Sequence, residues 1–336
     1  MRKPDYTQIL KVLKKEVPDR PTMFEFFLNA AIYDELNNGE APIRGDNYDN
    51  NRKAMYAFKN AGYDYFTSMI SQFRFHSAAK AQKASASINE GNVITCWQSY
   101  EKYEWPNPDD FGLETLEALA PDLPDGMKFI AYSPGGVLEN AITLVGYDNL
   151  CMMLYDEPEL ARKIFDDVGS RLLRYFEMAT AHDSVCAMVS NDDWGFKTQT
   201  MLSTAHMREY VFPWHKKIVA AGHKCGKPVI LHSCGYREDI MDDIIEDMRF
   251  DGLHSYEDAI LPVEEAYERY KGRIAIIGGI DVHYVCTQPH DAITARAKAM
   301  LERSAKTGGY ALGTGNSVPG YVPKESYYAM IRAVHV

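Results

Sequence analysis

Short apolar runs of four to eight residues alternate along the chain with longer stretches in which apolar positions recur every three or four residues. The first pattern predicts strands and the second amphipathic helices. Eight runs read as strands: 20–27 (RPTMFEFF), 63–70 (YDYFTSMI), 127–133 (MKFIAYS), 184–190 (SVCAMVS), 228–232 (PVILH), 251–256 (DGLHSY), 273–277 (RIAII) and 310–313 (YALG). Helical periodicity covers 49–61, 158–180, 206–221, 238–248, 262–270, 292–306 and 324–334. Several of these stretches stop at a glycine, among them Gly62, Gly222, Gly226, Gly272 and Gly308, the usual end signal of a helix.

Strand runs followed by helices argue for parallel βαβ units, and eight of them predict an α/β fold of the (β/α)8 TIM-barrel type. No GxGxxG follows the first run, which removes the main support for a doubly wound dinucleotide-binding sheet. The opening helix, 7–15, is expected to cap the closed end of the barrel. The segment 92–103 (NVITCWQSYEKY) reads as an inserted hairpin rich in aromatics. With no Ser/Gly linker and no internal repeat, residues 1–336 are expected to form a single domain.

In such barrels the active site collects at the C-terminal strand ends. The first run carries Glu25 and leads to Asn29, the second carries Ser68, and the third leads to Ser133-Pro134-Gly135-Gly136. Asn191, Asp192, Asp193 and Trp194 follow the fourth run, and the fifth ends in His232-Ser233-Cys234-Gly235. Tyr256, Glu257 and Asp258 end the sixth, Gly278-Gly279-Ile280-Asp281 the seventh, and Thr314-Gly315-Asn316 the eighth. Glu25, Asn191, Asp281 and Asn316 are thereby candidates to face a substrate.

At a strand end residues i and i+2 point the same way, so His232 and Cys234 aim an imidazole and a thiolate at one point, a donor pair that suits Zn²⁺. Glu257, on the neighbouring strand end, is the expected oxygen ligand. The same pair also fits a buried thiol beside a histidine bonded to a carbonyl. Of Asp192 and Asp193, one is expected to cap a helix and the other to face substrate; both, with Glu257, are the candidate acids. Gly278-Gly279 reads as a tight turn in preference to a phosphate cradle. Glu25, among aromatics, must face a polar interior or a partner.

Composition narrows the function classes. The chain has 336 residues, 46% hydrophobic and 25% charged, an ordinary globular balance. Thirty-six Lys plus Arg against 47 Asp plus Glu leave a net charge of −11 with no long basic block, so no nucleic-acid partner is expected. Nor is a membrane span, since no apolar run approaches the ~18 residues it needs. Six scattered cysteines are too dilute for a disulfide scaffold. Residues 1–6 are not followed by an apolar leader region, and the cytoplasm is the expected compartment.

The motifs HSCG (232–235), GGID (278–281) and GTGNSVPGYVP (313–323), with DDWGFKTQTMLS (192–203) and EYVFPW (209–214), resemble the uroporphyrinogen decarboxylase superfamily. That resemblance implies a TIM-type barrel and either a decarboxylase or a cobalamin-dependent methyltransferase. True uroporphyrinogen decarboxylases open with an Arg-rich motif of the RQAGR type, where this chain has Phe26-Phe27-Leu28-Asn29-Ala30, and end the last strand in Gly-His-Gly, where it has Gly313-Thr314-Gly315. An octa-acid substrate does not suit this acidic chain. In the methyltransferase branch, the enzymes that act on coenzyme M or similar thiols hold zinc through His-x-Cys and a later Cys, and a departure from that pattern points to the substrate-side enzymes. His232 and Cys234 match; the later position falls at Thr314.

The resemblance therefore implies an O-demethylase-type enzyme that moves a methyl group from a small methylated donor, such as a methoxylated aromatic, to a cobalt(I) corrinoid (cobalamin) on a partner protein. The chain has no DxHxxG corrinoid motif of its own; Asp281-Val282-His283 is followed by Tyr284-Val285-Cys286. Trp97 and Tyr100 of the expected hairpin would form part of the docking rim, and the pattern leaves room for a homodimer. Two rival classes are a decarboxylase of a small acid, for which Lys197 and Arg237 are the cations at hand, and a non-catalytic ligand-binding barrel.

Overall fold

A computed structural model describes residues 2–77, 88–89 and 92–335. Its centre is a parallel sheet of seven strands in sequential order: β1 Tyr65–Ser68, β2 Lys128–Tyr132, β3 Val185–Asn191, β4 Val229–His232, β5 Gly252–His254, β6 Ala275–Ile277 and β7 Tyr310–Ala311. Six of them lie inside expected runs, and β3 extends one residue past its run, to Asn191. Nearly all their residues are buried, as in parallel sheets covered by helices, which explains why these runs are continuously apolar instead of alternating. The helix Asp49–Ala61 precedes β1, and helices such as Pro158–Ala181, Phe212–Lys224, Val263–Tyr270 and His290–Ser304 lie between the strands in the chain. Among the described residues, no helix is long and apolar enough to cross a membrane.

The first expected strand, 20–27, is not one. Met23 forms a single parallel bridge to Leu312, with Phe24 N–H donating to the Leu312 carbonyl (2.8 Å) and Leu312 N–H to the Thr22 carbonyl (2.8 Å). On its other flank, side chains replace the ladder. The Tyr65 hydroxyl accepts from Glu25 N–H (2.8 Å) and donates to the Glu25 carbonyl (2.9 Å), and the Thr67 hydroxyl donates to the Phe26 carbonyl. The run is fixed in place, but β1 bonds it through hydroxyls, so among the described residues the sheet has seven strands where eight were expected.

The expected hairpin at 92–103 is also corrected. Trp97–Lys102 is a short helix, capped by Ser99 Oγ, which accepts from the N–H groups of Thr95 (2.8 Å) and Cys96 (3.0 Å). Its aromatics form a cluster in which Trp97, Tyr103 and Trp105 meet edge to face with one another or with Tyr100. The helical stretch 238–248 breaks into a 3₁₀ turn, Glu238–Ile240, and a π turn, Asp243–Asp247. The helix Val137–Val145 after β2 has no counterpart among the expected ones.

Candidate functional site

Register brings the chemistry together. β3 pairs with β4 so that Asn191 lies beside His232, and β4 with β5 so that His232 lies beside His254. The loops after β3 and β4 are then joined by main-chain bonds: Gly195 N–H to the Cys234 carbonyl (3.3 Å) and Tyr236 N–H to the Phe196 carbonyl (2.7 Å). Cys234 N–H donates to Asp193 Oδ1 (2.8 Å), and Trp194 N–H to Ser233 Oγ (3.1 Å). So close an approach requires glycine. Gly235 has φ +85°, and a Cβ there would lie 1.9 Å from the Gly195 carbonyl oxygen.

The result is a group of three potential ligand atoms, from Asp193, His232 and Cys234, all within 4.8 Å of one another. His232 and Cys234 converge as expected. The oxygen donor beside them is Asp193; Glu257 is not in the group and instead borders a small cleft with Arg237, Glu238 and Tyr256. An imidazole nitrogen, a sulfur and one carboxylate oxygen form a borderline donor set that fits Zn²⁺ and leaves a fourth position open. Asn316, expected to face substrate, directs its Nδ2 at Cys234 Sγ (3.2 Å), a contact that stabilises a thiolate. Thr314, where the resemblance places a third protein ligand, faces away. Its N–H (2.6 Å) and hydroxyl (2.8 Å) both meet the Glu25 carboxyl.

Burial sets the protonation states here. It pushes the Cys234 thiol up to about 12, with Asp193 adding to the effect, and draws His232 down to about 4 against the pull of Asp193. Both are therefore neutral at pH 7 when no cation is present, and a bound cation would favour the thiolate.

Asp192 and Asp193, adjacent in sequence, have separate environments. Asp192 is fully buried. Its carboxylate accepts from the N–H groups of Leu138 and Glu139 (2.9 Å each) at the start of the helix Val137–Val145, and from His215 Nε2 (2.8 Å). His215 is held in turn by Ser190 Oγ (3.0 Å). Both oxygens of the carboxyl are thus engaged, at a helix N-terminus and by His215. Gly136 is needed beside it, because a Cβ there would fall 2.1 Å from the Asp192 Cβ. Asp193 alone of the pair reaches the ligand group.

Five other residues complete the picture. Asp281 accepts from Tyr284 N–H and Asp258 N–H (2.9 Å each), capping the helix Val282–Thr287. Asn191 lies at the strand end with its Oδ1 3.4 Å from Ser133 Oγ. Gly278 and Gly279 have φ +68° and +110° in a turn where a Gly278 Cβ would meet the Thr314 carbonyl at 2.4 Å, which is the tight turn the sequence suggests. Glu25 is wholly buried, and desolvation raises it to about 8 against the two bonds from Thr314, so it stays protonated at neutral pH.

Two residues of the site escaped the sequence reading. His254 ends β5 and puts its Nδ1 2.7 Å from His232 Nδ1. Its signal was the equal depth of two neighbouring strands, each ending in histidine. Glu139 accepts from Gly136 N–H (2.9 Å) and is raised to about 8 by burial and by Asp192 and Asp193 beside it. A Gly-x-x-Glu spacing at a helix start was the available clue.

Residues 88–336 match the uroporphyrinogen decarboxylase (URO-D) family. A protein named uroporphyrinogen decarboxylase from Anaeromyxobacter dehalogenans is 26% identical over 228 residues, which cover 66% of this chain and 62% of that protein. Another of the same name from Dechloromonas aromatica is 23% identical over 262 residues, 70% of each chain. The chain thus spans less than two thirds of the Anaeromyxobacter protein. In three dimensions, a methyltransferase from Methanosarcina mazei shares the fold over 98% of this chain and 97% of its own, with a TM-score of 0.69 at 17% identity. The chain belongs to the uroporphyrinogen decarboxylase family.

Proposed function

We propose that this protein is a corrinoid-linked methyltransferase that moves a methyl group from a small methylated donor, such as a methoxylated aromatic, to a cobalt(I) corrinoid carried by a partner protein. The observation that carries this reading is the convergence of Asp193, His232 and Cys234 on one point. A zinc ion there would act as a Lewis acid on the leaving oxygen, the difficult part of an ether demethylation. The chain's own residues would hold the ion, with Asn316 steadying the thiolate and Glu139, protonated at pH 7, available near Asp193 as a proton source.

A cavity of about 250 Å³ at the ends of β1 and β2 suits the donor. Phe27, Tyr33, Phe66 and Tyr132 line it with Asn51 and Gln72, and among the described residues no ionised side chain borders it. Phe26 links it to the ligand group, its ring packing on both Tyr132 and His232 (4.9 Å each). The fold neighbour from Methanosarcina mazei carries the name methyltransferase, which agrees with this reading. In the same reading the run 20–27 serves as the eighth stave of a closed barrel.

The names of the sequence relatives favour a decarboxylase instead. That chemistry needs a cation to bind a carboxylate and stabilise the carbanion. Arg237 donates to the carbonyls of Ser233, Gly235 and Ser255, and Lys197 is exposed, so neither is placed for the task. Metal analysis, together with methyl transfer from a panel of methoxyaromatics to cob(I)alamin followed in the visible spectrum, separates the two readings. Stoichiometric zinc that is lost in Cys234→Ser, with corrinoid-dependent turnover, is the expected result. Carbon dioxide release from an acid without corrinoid would replace methyl transfer with decarboxylation.

A further inference from the structure

The two histidines that meet at the ends of β4 and β5 form a hydrogen-bonded chain whose direction can be worked out from its far end. His254 Nε2 lies 3.3 Å from the Thr314 carbonyl oxygen. A carbonyl only accepts, so the proton belongs to His254 Nε2. His254 is fully buried, and among the described residues its polar contacts are the Thr314 carbonyl and His232, with no carboxylate to favour a cation. A neutral imidazole has one ring proton, and with Nε2 carrying it, His254 Nδ1 is a lone pair. His232 Nδ1 is 2.7 Å from that lone pair and must be the donor. Its own single proton is then on Nδ1. The remaining nitrogen, His232 Nε2, is bare, and it is the one that lies toward Cys234 Sγ, 3.9 Å away.

We propose that His254 is a positioning residue that fixes His232 as the Nδ1–H tautomer and so holds the Nε2 lone pair toward the Asp193 and Cys234 donors, a role that rests on the metal reading above for its use. Metal-bound histidines characteristically donate their second N–H to an acceptor that sets tautomer and ring orientation. A carboxylate or carbonyl is the usual acceptor; here it is a second imidazole, itself oriented by a main-chain carbonyl. The packing keeps the pair in place. The Phe24 ring meets His254 edge-on at 5.2 Å, and the Phe26 ring lies 4.9 Å from His232. On the remaining side, Gly278 makes room, since a Cβ there would sit 3.1 Å from His254 Nε2.

The test begins with the metal-free wild-type protein, labelled with ¹⁵N at histidine, in long-range ¹H–¹⁵N correlation spectra at pH 7. Signals of His232 and His254 are assigned by their loss in His232→Asn and His254→Asn. The expected pattern is a protonated Nδ1 with a bare Nε2 for His232, and the reverse for His254. A protonated Nε2 on His232, or averaging between its tautomers, overturns the proposal. Zinc affinity, measured by competition with a chromophoric chelator, gives the second readout. His254→Leu removes the acceptor and should weaken zinc by about 10–100-fold, the usual effect of losing such a partner. His254→Asn, whose amide oxygen can stand near the position of Nδ1, should recover most of that loss. Equal affinities in all three proteins would also overturn it. Should the Leu variant fail to fold, the wild-type spectrum and the Asn variant still decide. A protein with the expected tautomers that binds no zinc would overturn the metal reading and leave the assignment of His254 standing.

Discussion

Glu25→Gln is expected to change how stability depends on pH. The Glu25 carboxyl is fully buried against Thr314, and desolvation raises it from an ordinary 4.5 to about 8. In the unfolded chain the same group ionises near 4.5. Between these values the unfolded state releases a proton that the folded state keeps, so stability falls as pH rises. The contribution is fully present below pH 4.5, shrinks by about 1.4 kcal/mol per pH unit above it, and levels off past pH 8. That is a loss of about 3 kcal/mol at pH 7 and about 5 kcal/mol above pH 8. Glutamine keeps the size of the side chain, an oxygen for the Thr314 N–H and a donor for its hydroxyl, but cannot ionise. Urea unfolding of both proteins from pH 5 to 8.5 should give curves that diverge in favour of the variant up to about pH 8 and then level off, with other titrating groups cancelling in the difference. Parallel curves would refute the assignment of a buried, protonated carboxyl.

The neighbouring aspartates should respond to substitution in opposite ways. Asp192→Asn leaves one acceptor oxygen where two now meet the Leu138 and Glu139 N–H groups and His215, so buried partners are lost, and it should cost about 3–5 kcal/mol in chemical denaturation. Asp193→Asn should change stability little but lower zinc content, measured by elemental analysis; equal losses of stability would mean that both are structural. Gly235→Ala should cost at least about 2 kcal/mol, through its clash with Gly195 and its positive φ. Gly226→Ala, at φ +68° in open space, provides the control and should cost only about 1 kcal/mol.

Seven of the eight strand runs were legible because parallel strands buried on both faces leave an apolar signature that helices do not share at that length. The run 20–27 carried the same signature and was misread, since composition reports burial but not which partner bonds the backbone; here the partners are the hydroxyls of Tyr65 and Thr67. The segment 92–103 misled for a related reason. Its aromatics pack on one another in a short helix, and aromatic residues favour strands only as an average. At the site, His232 and Cys234 follow from the two-residue period of a strand. Choosing Asp193 over Glu257 required the conformation of two loops, and finding His254 required the register of β4 on β5. Spacing along one strand is written in the sequence, whereas alignment between strands is settled by packing.

The sewing together of the loops after β3 and β4 has a consequence for how the site would take up a cation. The distance between the Asp193 carboxylate and the Cys234 sulfur is set by main-chain contacts, with Gly195 and Gly235 back to back and Cys234 N–H bonded to Asp193 itself. Most of the ordering of these ligands therefore happens when the chain folds, and little is left for the moment of binding. Such a preorganised centre discriminates by size. It cannot spread to the six to eight oxygens that Ca²⁺ takes, while four-coordinate Zn²⁺ asks for no expansion. Amide hydrogen exchange in the two loops should accordingly be slow before the ion arrives and change little after it.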